Sequence, residues 1–364
     1  MKKEKDENRK KVSSTEIFFL KSGFLASALV IAMLLFVVSV APVSAAEHQV
    51  SEGMTSNSDS NITSTPESIG SGMYFKRPVG IAVEADGQLV VTDLVLDAVV
   101  RVDPVSGNRS IVSDNSTGSG TCFKRPVGIT VEADGSLVVV DKDLKAVVRV
   151  DPVSGNRSIL SDNSTGSGTC FKDLRGIAVE ADGSLVVVDK DLEAVVRIDP
   201  VSGNRSILSD NSTGSGTCFK EPRGIAVETD GSLIVVAEDL EAVVRVDPVS
   251  GNRSIVSDAS TGSGPGFKTP RDIAVEADGS LVVTDRRLDE AVVRVDPVNG
   301  NRTIVSEAST DRGPVFKEPR GIAVESNGSL VVADRGLRAV VRVDPVSGNR
   351  TIVSDGGTGP WTGL

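Results

Sequence analysis

From about residue 75 onward, short valine-rich runs alternate with turns rich in Gly, Asp and Asn, and the alternation recurs. The second recurrence shows the unit. Gly128-Ile-Thr-Val-Glu132 reads as a short strand, and Ala133-Asp134-Gly135-Ser136 as a tight hairpin turn. Leu137–Val140 is an unbroken apolar run, the pattern of a strand covered on both faces. A polar stretch, Asp141–Lys145, leads to a third strand, Ala146–Val150. The turn Pro152–Asn156 then precedes a shorter fourth strand, Arg157–Leu160. No stretch of the unit carries a helical period.

Six such units align, starting at Gly80, Gly128, Gly176, Gly224, Asp272 and Gly321, at intervals of 48, 48, 48, 48 and 49 residues. The extra residue falls within Arg286–Glu290. Four strands per unit and a period in the forties predict an all-β, six-bladed β-propeller of four-stranded antiparallel blades. Closing a ring removes exposed sheet edges. The expected blades lie near 75–122, 123–170, 171–218, 219–266, 267–315 and 316–364. One Phe opens each copy (Phe75, Phe123, Phe171, Phe219, Phe267, Phe316) and is expected to plug the core between neighbouring blades. The Gly before the first strand is expected to permit close backbone approach near the ring centre, a rule that Asp272 breaks. Ring closure is open: each copy supplies four strands, and residues 61–64 faintly resemble a fourth strand.

The N-terminus changes the picture. Seven Lys/Arg against four acids in residues 1–21 precede an apolar run from Phe24 to Val43, then Val43-Ser44-Ala45, which has the form of a cleavage site. Residues 1–46 are read as a signal peptide or an uncleaved membrane-anchor helix, since the run nearly spans a bilayer. Residues 47–74 read as a flexible linker. The chain is therefore expected to be extracytoplasmic, secreted or periplasmic, touching membrane only through residues 24–43 if uncleaved, and to be a monomer. Its net charge of −11 argues against nucleic acid as a partner.

The pattern Phe-Lys-x-Pro-x-Gly-Ile-Ala-Val-Glu-x-Asp-Gly-x-Leu-Val-Val-x-Asp, which runs over Phe316–Asp334 with Asn327 in the turn, resembles the NHL repeat. It is similar, more widely, to six-bladed propellers of the SMP-30/gluconolactonase group. That resemblance implies the fold. For function it implies either a binding or scaffold module, or a divalent-metal-dependent hydrolase as the alternative, so the enzyme assignment stays open. The hydrolase would hold a cation such as Ca²⁺ on distinct Glu, Asn and Asp residues from different blades. Here the corresponding Glu84, Glu132, Glu180, Glu228, Glu276 and Glu325 are alike in every copy and are expected to be paired or solvated. No cofactor is therefore expected, with a Ca²⁺ site on these six Glu as the alternative. The single His, His48, lies in the linker, which also counts against a streptogramin-lyase-like propeller expected to use His. The single Trp361 and Tyr74 give little support for a sugar-stacking site.

Cys122, Cys170 and Cys218 recur at equivalent positions of successive copies, too far apart for a disulfide unless they lie near the axis, and read as copied passengers, with intermolecular pairing as the alternative. The recurring Asn108, Asn156, Asn204, Asn252, Asn301 and Asn349 read as turn residues that tolerate left-handed backbone.

Comparison among the copies separates two faces. The strand 1–2 and strand 3–4 turns are nearly invariant. The strand 2–3 loops and the loops leading into each blade differ, as in Arg77-Pro78-Val79, Asp173-Leu174-Arg175 and Glu221-Pro222-Arg223. The variable face is the candidate binding face. It carries the constant Lys76, Lys124, Lys172, Lys220, Lys268 and Lys317, together with Lys142, Lys190, Arg286 and Arg338 of the 2–3 loops. The expected partner is an unidentified protein or a small anionic ligand.

Overall fold

The computed structural model describes residues 69–356. They form six four-stranded antiparallel sheets, each taken from consecutive strands in sequence order. Blade one comprises Pro78–Val83, Leu89–Asp93, Ala98–Val102 and Arg109–Ser113. The first strands of blades two to six are Pro126–Val131, Leu174–Val179, Pro222–Val227, Pro270–Val275 and Pro319–Val324. These six strands pack side by side around the axis, the sixth against the first, so the ring is closed. The architecture is the six-bladed β-propeller that the repeat predicts. Residues 1–46, expected as a signal peptide or anchor, residues 61–64, His48 and Trp361 lie outside the described residues. Among the described residues no helix is long and apolar enough to cross a membrane.

The unbroken apolar runs follow from blade stacking. In blade one Leu89, Val91 and Val100 face blade six, packing with Val331, Ala333 and Val340. The intervening Val90 and Val99 face blade two, packing with Phe123, Ile129 and Leu137. Successive side chains of a strand point to opposite faces, so a sheet sandwiched between two others needs apolar residues at every position. The second strands are accordingly buried along their whole length.

Each expected Phe plug is buried, and the structure adds its partner. A buried Arg opening the fourth strand lies over each ring, with Arg205 5.0 Å from the Phe171 centroid and Arg157 5.5 Å from that of Phe123. Arg157 also donates to the preceding interblade loop, at Asp114 O (2.7 Å), Thr117 O (2.9 Å) and Thr121 O (2.8 Å). In blades one to five the Asn that follows the turn glycine serves the same loop. Asn156 Oδ1 accepts from the Ser119 amide (2.9 Å) and hydroxyl (2.8 Å). The left-handed residue of that turn is Gly155, at φ 71°, and none of the six Asn has positive φ, which corrects the turn reading.

These contacts refine the two faces. The first half of each interblade loop runs along the rim, beside the next blade's strand 3–4 turn. Only its end turns in beside the strand 2–3 loop, where Lys142 N donates to Arg125 O at 3.0 Å. Cys122, Cys170 and Cys218 sit exposed and unpaired on this loop.

Candidate functional site

Two rings of residues on the six first strands shape the pore. The first is the glycine ring, Gly80, Gly128, Gly176, Gly224 and Gly321, with Asp272 as its sixth member. A Cβ at Gly80 would lie 2.4 Å from Val127 O, and one at Gly128 would lie 2.5 Å from Arg175 O. First strands therefore approach too closely for a side chain, the packing role expected of these glycines. Asp272 is accommodated beside a neighbour that lacks one: a Cβ on Gly224 would lie 2.4 Å from Asp272 Oδ1. Its carboxylate accepts from Ile322 N at 3.2 Å. Burial pushes its pKa up to about 7, against which the hydrogen bonds from Ile322 and Ile273 act.

The second ring precedes each glycine by one residue: Val79, Val127, Arg175, Arg223, Arg271 and Arg320. All six line a cavity with about 620 Å³ of empty space, open to solvent at its mouth. Two adjacent blades thus present valine, and the other four an arc of guanidinium groups. Sequence comparison had Arg175 and Arg223 only as part of variable leading loops. The signal that finds the arc is the single slot before the glycine, read down the six copies.

Carboxylates from the leading and 2–3 loops hold the arginines. Arg175 pairs with Asp173 (2.6 Å), which Lys142 also reaches (3.0 Å). Arg223 pairs with Glu221 (2.7 Å) and shares Glu238 with Arg271 (2.5 and 2.6 Å). Arg320 pairs with Glu318, which also meets Arg286 (3.4 Å) and Arg335 (3.2 Å). Lys190 joins Glu221 (2.8 Å) and Asp191 (3.5 Å). Eight cations therefore share five carboxylates in these pairs. The Nε atoms of Arg175, Arg271 and Arg320 are buried without a hydrogen-bond partner. Burial lowers the pKa of these three arginines. Arg271, pressed also by the charge of Arg320, falls to about 10 and stays protonated at neutral pH.

The arc has a local irregularity at blade four. In the other blades an Asp ending strand two ties the leading loop to the 2–3 loop. Asp141 accepts from the amides of Lys124 (2.8 Å), Arg125 (2.9 Å) and Leu144 (2.9 Å). Blade four has Ala237 there, and its leading-loop residue Glu221 takes φ 50°. The carboxylate reappears one residue later as Glu238, between Arg223 and Arg271.

Of the residues expected on the binding face, Lys142, Lys190 and Arg286 join this ion-pair layer. Lys76, Lys124, Lys172, Lys220, Lys268 and Lys317 have exposed side chains outside the pore. Arg338 is half-buried at the end of its 2–3 loop.

The residues present do not fit a divalent cation. The six Glu that follow the first strands are each tied to an Arg of strand three, as in Glu132–Arg149 (2.6 Å) and Glu325–Arg342 (2.6 Å). Among the described residues no three His, Cys, Asp or Glu side chains group as metal ligands. The pore offers one carboxylate against four guanidinium groups, where Ca²⁺ needs several oxygen donors.

No protein-family model and no curated protein matches the chain. Solved structures do. An auxiliary nutrient binding protein from Bacteroides thetaiotaomicron is 15% identical at a TM-score of 0.58, covering 74% of this chain and 69% of that one. A gluconolactonase from Xanthomonas campestris is 16% identical at 0.56, with 77% and 87% covered. Virginiamycin B lyase from Staphylococcus aureus is 15% identical at 0.53, with 76% and 84% covered. A catalytically inactive histidine-to-alanine variant of that lyase is among the matches, whereas residues 69–356 here contain no histidine. Binding proteins and enzymes thus share the architecture with this chain, and what the likeness establishes is the fold: a six-bladed β-propeller.

Proposed function

We propose that the chain is an exported, NHL-type β-propeller binding module that takes its ligand at the pore mouth, on the side of the leading and 2–3 loops. The observation that carries this reading is the pore lining: four arginines and two valines held on rigid first strands around an open cavity. A preformed concave site with a few convergent polar groups is the usual form of a ligand site. The lining differs from blade to blade, and an asymmetric ligand requires that asymmetry. The 1–2 turns at the other end repeat almost unchanged. The pore's donor set does not favour the metal-dependent hydrolase.

The test is capture of ligands from the extracytoplasmic fraction by the full chain and by two charge-reversed variants. Reversal at Lys142 and Arg286, which belong to the ion-pair layer around the pore, is expected to abolish capture, and reversal at Asp134 and Asp182 to leave it intact. The opposite pattern contradicts the reading.

A further inference from the structure

The composition of the mouth is itself selective. The guanidinium arc occupies blades three to six, and Val79 and Val127 occupy blades one and two, with Ile81 and Ile129 beside them in the lining. Guanidinium groups match oxyanions in fork-to-fork geometry and are the weakly hydrated choice where the partner is partly desolvated. The four carboxylates that hold the arginines, Asp173, Glu221, Glu238 and Glu318, are shared with Lys142, Lys190, Arg286 and Arg335, so cations outnumber them, and three buried Nε–H groups have no acceptor. Opposite the arc there is no polar side chain, only branched apolar surface, which gains by covering a hydrocarbon group.

Resting on the reading of the pore mouth as the ligand site, we propose that this site takes a small amphipathic organic anion. Its carboxylate or phosphate head sits on the Arg223–Arg271–Arg320 arc and its apolar body against Val79 and Val127. The head pairs with charge that the protein leaves over. The body explains why two adjacent blades carry valine where four carry arginine. A bare inorganic anion uses half of this surface and a neutral hydrophobe the other half. Binding should need both.

The experiment is calorimetric titration of the full chain with phenylphosphate, phenylacetate, inorganic phosphate and benzyl alcohol. Phenylphosphate or phenylacetate is expected to bind one to one, about tenfold or more tighter than either inorganic phosphate or benzyl alcohol. The two aromatic probes report whether phosphate or carboxylate is preferred. Arg271→Gln and Val79→Glu are each expected to weaken the preferred probe by about tenfold, and Asp134→Ser to leave it unchanged. Should Arg271→Gln fail to fold, because Glu238 keeps only Arg223, Val79→Glu tests the same site without touching an ion pair. Equal affinity for the head alone, or binding indifferent to Val79→Glu, overturns the proposal. If no probe binds while Arg271→Gln and Val79→Glu lose material that the parent chain captures from the extracytoplasmic fraction, the ligand class falls and the pore reading stands. If captured material is also indifferent to those variants, both fall.

Discussion

Ile69 donates its backbone N–H to the Asp355 carboxylate at 3.1 Å, and Asp355 N returns a bond to Ile69 O at 3.3 Å. This pair, 286 residues apart, reproduces the bond from Asp114 N to Thr117 O (3.2 Å) that shapes the covalent loop between blades one and two. The ring is thus closed by a broken copy of its own interblade loop. Arg109 pins the break as Arg157 pins the intact loop, bonding Ser354 of blade six, Ile69 O (3.0 Å) and Met73 O (2.9 Å). Arg342 of blade six reaches Pro104 O of blade one at 3.2 Å, as Arg101 reaches Pro152 O at 3.3 Å.

Joining the seam covalently should therefore stabilise the propeller. A circular permutant linking Asp355 to Ile69 through Asn-Ser, and opened at another interblade loop, keeps every bond but moves the break. Opened at Asn211–Ser212, it should unfold within a few degrees of a chain spanning 69–356. A version linked at the seam and cut nowhere, made by cyclisation, should melt higher, because loop closure costs a few kcal/mol of chain entropy. Calorimetry of the three forms decides; a cyclised form that melts no higher refutes the seam.

The Arg–Phe pins should matter more than the surface ion pairs. Arg157→Met removes three charge-assisted bonds to loop carbonyls and the contact with Phe123. A loss of about 3 kcal/mol is expected, since buried acceptors are left unpaired. Lys at 157 should recover little, because it lacks the fork that reaches several acceptors at once. Urea unfolding measures both, and a near-neutral Arg157→Met counts against the pin.

Two glycines separate lack of space from backbone strain. Gly128 has no room, with Arg175 O 2.5 Å from a built Cβ, whereas Gly135 has open space but φ 89°. Ala at 135 should cost about 1 kcal/mol, and Asn there less than Ala. Ala at 128 should cost about 3 kcal/mol, and Asn more still. A rescue by Asn at 128 contradicts the account of the glycine ring.

Asp272 gives a pH signature. Its folded-state pKa of about 7 stands above the ordinary aspartate value of 3.8, so near neutral pH the folded state holds a proton that the unfolded chain releases. Stability from this group is full below about pH 4, declines as pH rises toward 7 and stays low above it. Arg175, Arg223, Arg271 and Arg320 share the pore lining with Asp272, and Asp285 ends the paired second strand. Asp272→Asn should therefore gain stability over the parent at pH 8, by at most about 4 kcal/mol, and none at pH 4. Denaturant midpoints at the two pH values check the sign, and a gain confined to pH 4 refutes it.

Much of this fold was legible in the residues. Leu137–Val140 announced a strand covered on both faces because both faces meet neighbouring blades. Phe123 announced a plug because one large ring per unit must fill one interblade gap. The pore was harder. Arg175 and Arg223 stand among charged loop residues, and only three-dimensional closure shows that the slot before each glycine points inward. Glu132 was legible only as a residue either paired or solvated, and its partner Arg149, 17 positions away, required the strand register. The function of Asn156 was misjudged because its acceptor role reaches Ser119, across the interblade loop.

The most direct measurement is a crystal structure of the chain with phenylphosphate. The account predicts the phosphate within hydrogen-bonding distance of Arg271 and Arg320, with the ring against Val79 and Val127. A phenylphosphate bound at the strand 1–2 turns, or a phosphate lying on the valine side, would contradict it.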